Sequence, residues 1–110
     1  MTLNEYQKAS GATAFYPGRC TGDITYVALG LNGEAGEVAE HAKKALRDDG
    51  GKITPERRRA LTKEIGDSIW YIAQLATELG VSLEEVAQIN LDKLASRQAR
   101  GVLGGSGDER

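Results

Sequence analysis

The chain has 110 residues, a length for one domain, with a net charge of −2, 40% hydrophobic and 27% charged residues, the composition of an ordinary globular protein. The near-neutral balance excludes general attraction to nucleic-acid polymers or anionic membranes, and the lone Cys20 excludes an internal disulfide and fits a reducing, cytoplasmic setting. The opening MTLNEYQKAS lacks the apolar stretch of a signal peptide, and no run approaches membrane-spanning length.

Four helices are expected in chain order. The first covers Leu3 to Ala12, and FYPGRCTGD, with a proline and two glycines, follows as a loop. The second starts at Asp23, an N-cap residue, and runs to Leu46 before Gly50 and Gly51 break it. The third opens at Thr54, with Pro55 suited to the first helical position, and stops at Gly80. Ser82 with Glu85 forms a capping-box pattern for the fourth, which continues to Arg100. Residues 1–100 therefore read as one domain, and the glycine-rich GVLGGSGDER of residues 101–110 as a flexible tail. No strand-length alternation competes, so the fold class is all-α, a helical bundle protomer of about four helices. Small alanine-rich helices bury little surface each, so self-association is expected to complete the bundle.

Two short stretches, GEAGEV and EIGDSI, set a glycine between two acids inside a helix. On the second helix Val27, Leu31, Ala35, Val38 and Ala42 form an apolar stripe, bordered by Glu34, Glu37 and His41. On the third, Leu61, Ile65, Ile69, Ile72, Leu75 and Leu79 form the stripe, and Glu64, Asp67 and Tyr71 take the same border. A lone acidic pair at i and i+3 is ordinarily solvated surface. Here the repulsion within each pair, and about 1 kcal/mol for each interior glycine, recur at corresponding places. The economical reading is that the helices cross at Gly36 and Gly66, which lets four carboxylates converge. Such a cluster calls for a cation, and oxygen-only donors favour Mg²⁺ or Mn²⁺ over zinc. His41 at that border reads as a hydrogen-bonded neighbour rather than a ligand. Trp70 is expected to point away from the carboxylates and serve packing between protomers. No glycine-rich phosphate loop of the G-x-x-x-x-G-K type is present, and the single histidine and single cysteine leave no evident nucleophile set.

At these residues the sequence resembles a family. GLNGEAGEVAEHAKK and KEIGDSIWYIAQLATELGVSLEEVAQINLDKLASRQARG are similar to the MazG-like all-α nucleotide pyrophosphohydrolases. Their signature, Glu-x-x-Glu, a spacer, then Glu-x-x-Asp, is met by Glu34, Glu37, Glu64 and Asp67, and the likeness spans most of residues 23–101. The resemblance implies Mg²⁺-dependent hydrolysis of a nucleoside triphosphate to monophosphate and pyrophosphate by a homodimer or homotetramer. It makes the four acids both metal ligands and catalytic groups, with Glu34 or Glu37 as the base. It also implies substrate contacts. Asn90 and Lys93 of NLDKL match an asparagine and lysine near the substrate, Tyr71 matches an aromatic that packs on sugar or base, and Lys44, two turns past Glu37, could reach phosphate or remain a surface lysine. Arg97 and Arg100 read as solvated complements of a helix C-terminus. Tyr6, Gln7 and Thr13 follow a pattern of relatives whose first helix helps close the pocket. Phosphoribosyl-ATP pyrophosphohydrolase is the rival within the fold. Outside it stand a catalytically silent dimerisation module and a nucleotide sensor.

Overall fold

The computed structural model describes residues 1–110. Helix α1 spans Leu3–Ser10 and tightens into a 3₁₀ turn over Gly11–Thr13, α2 spans Thr25–Asp48, α3 Pro55–Glu78 and α4 Leu83–Ala99, with no strands. The caps follow side-chain chemistry. Thr2 and Glu5 close a reciprocal capping box on α1. Thr54 and Ser82 accept the N–H groups of Arg57 and Glu85 at 3.2 and 3.0 Å. The cap of α2 falls one residue later than expected: Ile24 holds the cap position, and Asp23, one residue outside it, accepts the Thr25 N–H. Gly50 and Gly51 both take positive φ, and the Gly51 N–H closes on the Ala45 carbonyl to end the helix.

Helices α2 and α3 form an antiparallel hairpin: His41 lies against Arg57, Glu34 near Glu64 and Gly30 against Tyr71. The residues that α2 turns inward are Val27, Leu31, Glu34, Val38, His41 and Ala45. Those of α3 are Arg57, Leu61, Glu64, Ser68, Tyr71, Leu75 and Glu78. Both series alternate steps of four and three, a 3.5-residue seam. This corrects the expected stripes. Ala35 and Ala42 lie outside, and Ile65, Ile69, Ile72 and Leu79 are 53, 41, 37 and 59% exposed. The seam is rotated toward the acids, and its polar members made it invisible to a search for apolar spacing.

Helix α1 is latched across α3 and α4 by polar bonds. The Gln7 amide donates to the Thr77 hydroxyl and the Val81 carbonyl and accepts the Leu83 N–H, while Gln74 donates to Ser10. Beneath this latch Ala73, Ala76 and Leu83 form one small core cluster; Ala14, Tyr16 and Val27 form a second under the loop after α1. Residues 101–110 fold back on α4: the carbonyl of Asp108 accepts from Arg97 at 2.6 Å, and its carboxylate lies 3.5 Å from the Lys93 ammonium. Arg97 is therefore buried rather than solvated, whereas Arg100 stays exposed as expected.

Candidate active site

The hairpin brings Glu34, Glu37 and Glu64 together, with one carboxylate oxygen from each inside a 4.8 Å span. Glu34 and Glu64 are on the seam and half-buried; Glu37 and Asp67 stand one helical step out, toward solvent. Asp67 lies beyond that triad but lines a cavity of about 350 Å³ together with Glu34, Thr13, Trp70 and Tyr71. The acids are short of counter-charge. The ion pairs of the chain include no lysine or arginine on Glu34, Glu37, Glu64 or Asp67, and Glu64 meets only His41. Desolvation first, then the charges of Glu37, Asp67 and Glu64, holds the Glu34 carboxyl above the ordinary glutamate range. Oxygen-only donors within 4.8 Å of one another suit a hard divalent cation.

The crossing expected at Gly36 and Gly66 is not where the helices meet closely. A Cβ at either would find nothing within 4 Å, so neither glycine serves a backbone approach. The close approach is at Gly30, where a Cβ would sit 2.1 Å from Cε1 of Tyr71. The missing side chain lets the tyrosine ring lie directly against α2, where it forms a wall of the cavity. Trp70 also corrects its expected outward role. Its indole N–H donates to the Thr13 hydroxyl at 2.9 Å, its ring meets Tyr71 edge-on at 5.1 Å, and it lines the cavity beside Glu34 and Asp67. The signal that would have found Trp70 is its place three residues after Asp67, one turn along the same helix face.

Glu78 fixes the loop over this wall. Its carboxylate accepts the Tyr16 hydroxyl at 2.6 Å and the N–H groups of Cys20 and Gly22 at 2.8 and 3.0 Å. The Tyr16 bond leads the causes that lower its carboxyl below the usual range, with the Cys20 N–H second. Of the first-helix residues, Thr13 reaches the cavity, Gln7 is spent on the latch, and Tyr6 packs on the Ala73 cluster. Lys44 pairs with Glu40 at 3.5 Å on the surface of α2. Asn90 lines a separate apolar groove with Leu3, Ile69 and Ile72, and Lys93 faces Asp108, so neither lines the acidic cavity of its own protomer.

Comparison with known proteins identifies the family. The family model described as the MazG nucleotide pyrophosphohydrolase domain matches residues 24–102. The chain is 52% identical to the Gene 37 protein of Mycobacterium phage L5, over all of both chains. It is 31% identical to the uncharacterized protein YvdC of Bacillus subtilis (strain 168), over 86% of this chain and 88% of the relative. No solved structure matches it. With the domain match covering all four acids and the α2–α3 hairpin that gathers three of them, the chain belongs to the MazG nucleotide pyrophosphohydrolases, enzymes that cleave a phosphoanhydride of a nucleotide.

Proposed function

We propose that the protein hydrolyses ribo- or deoxyribonucleoside triphosphates to the monophosphate and pyrophosphate, with Mg²⁺ as its ion and Mn²⁺ as a substitute, in clearing surplus or non-standard nucleotides in the cytoplasm. The observation that carries this reading is the meeting of Glu34, Glu37 and Glu64 within 4.8 Å, with no lysine or arginine paired to them, beside a cavity lined by Glu34, Asp67, Trp70 and Tyr71. Glu34, Glu37, Glu64 and Asp67 would hold the ion, which would neutralise phosphate oxygens and the charge that grows on phosphorus. Glu34 or Glu37 takes a proton from a water whose oxygen attacks the α-phosphorus. The bond from that phosphorus to the bridging oxygen breaks, and pyrophosphate leaves with the electron pair. Trp70 and Tyr71 offer faces on which a base or sugar packs, and Thr13 fixes the indole.

The working form in this reading is a homodimer or homotetramer. A radius of gyration of 16.8 Å, against about 13 Å for a compact chain of this length, favours a protomer completed by copies of itself. Asn90 and Lys93 would then serve a neighbour's cavity, and Lys44 stays a surface lysine.

A panel of canonical, deoxy and damaged triphosphates, with phosphoribosyl-ATP beside them, tests the reading through Mg²⁺-dependent pyrophosphate release. Glu37→Gln and Asp67→Asn should each cut turnover by about a hundredfold or more with helicity intact. Turnover at the wild-type rate in both variants would reject the site. Release from phosphoribosyl-ATP alone would move the protein to that rival activity, and nucleotide affinity without release would make it a sensor.

A further inference from the structure

A line of polar side chains runs from the α2–α3 turn into the acid cluster. Oδ2 of Asp49, at the end of α2, accepts from Nε of Arg57 at 2.8 Å and forms an ion pair with Nη2 at 2.7 Å. The remaining arm of Arg57 lies 3.4 Å from Nδ1 of His41. On the far side of the ring, Nε2 lies 3.5 Å from Oε1 of Glu64. The side chains are 23, 14, 25 and 16% exposed in that order, so water competes weakly along the line.

The direction of the line follows from donor chemistry. A guanidinium has hydrogens on every nitrogen and no acceptor. The ring nitrogen facing it must therefore offer a lone pair, which leaves the imidazole hydrogen on Nε2, the nitrogen 3.5 Å from Glu64. Oδ2 of Asp49 takes the edge of the fork made by Nε and Nη2, which leaves the Nη1 arm facing His41. We infer that Arg57 is a positioning residue of the active site: acting through His41, it locks the Nε2–H tautomer and so holds the Glu64 carboxylate in place among the acids. The inference rests on the metal-site reading only for what Glu64 is held for. The competing explanation is that Arg57 and Asp49 simply close the turn between two helices.

Arg57→Lys separates the two, since a lysine can keep an ion pair with Asp49 but lacks the fork that serves both partners. His41 is the only histidine of the chain, so a long-range proton–nitrogen correlation spectrum of the metal-free protein reads its tautomer without ambiguity. The wild type should show a single Nε2–H ring. Arg57→Lys, folded by circular dichroism, should show a mixture with Nδ1–H and need about tenfold more Mg²⁺ for half-saturation, measured calorimetrically without nucleotide. In a His41→Gln background the same arginine change should leave Mg²⁺ affinity unaltered, because the route from Arg57 to Glu64 is already cut. Should Arg57→Lys not fold, Asp49→Asn, which frees the fork, should shift the spectrum in the same direction. A wild-type ring carrying its hydrogen on Nδ1, or on both nitrogens, overturns the inference. So does an arginine effect on Mg²⁺ that persists undiminished without His41. An Nε2–H ring in a protein that binds no Mg²⁺ supports the lock and rejects the metal site instead.

Discussion

Position 30 of α2 leaves no space for a methyl group. With Tyr71 carbon atoms 2.1 and 2.4 Å from where a Cβ would stand, Gly30→Ala must expel the ring, at about 1–3 kcal/mol. Since that ring is a cavity wall, the variant should also bind substrate more weakly, seen as a raised KM. Gly36→Ala meets open space and should add up to about 1 kcal/mol by favouring the helix. Urea denaturation of the two variants gives opposite signs if this assignment holds. The acids were legible because two carboxylates at i and i+3 announce themselves within one turn. Gly30 was not, because its importance lies in a tyrosine 41 residues further along the chain.

The helices themselves were legible from their ends. Thr54, Pro55, Ser82, Gly50 and Gly51 perform at the termini the work that their side chains or freedom of φ suggest. Thr54→Ala should cost about 1 kcal/mol through the lost bond to the Arg57 N–H. Facing was less legible than extent, since Glu34, His41, Arg57, Glu64 and Ser68 all occupy inward positions where apolar residues would be sought. The loop after α1 depends on one side chain of α3. Bonds from Tyr16, Cys20 and Gly22 depress the Glu78 pKa, so the folded state binds this proton less tightly than the unfolded chain. Its stabilising contribution is complete above the ordinary glutamate pKa and disappears as pH falls through the lower, folded value. Glu78→Gln should therefore lower the urea midpoint at neutral pH, and the gap from wild type should close under acid conditions. A pH-independent gap would mean that the carboxylate charge is not what holds the loop.

At the scale of the molecule, ten of 110 residues are buried and a ridge of isoleucines on α3 faces outward. Exposed Val86 of α4 lines a groove with Ile69 and Ile72 of that ridge. A charge on that ridge is incompatible with burial against a second copy. Ile69→Glu should convert the protein to monomers in analytical ultracentrifugation and reduce turnover per protomer, while wild-type turnover per protomer should fall on dilution. A monomeric wild type with undiminished activity would remove the assembly from the proposal. Composition hinted at this surface through the abundance of alanine, but which helix face carries it required the seam, because Ile65, Ile69 and Ile72 satisfy core spacing equally well.

Trp70 is the chain's single tryptophan, and its indole stands at the cavity with its N–H on Thr13. Tryptophan emission from the unlabelled protein thus originates at one place, beside the acids. A non-hydrolysable analogue entering there must perturb the fluorophore, by stacking on it or by stripping water from it. Binding can accordingly be watched by light alone, before any bond is broken.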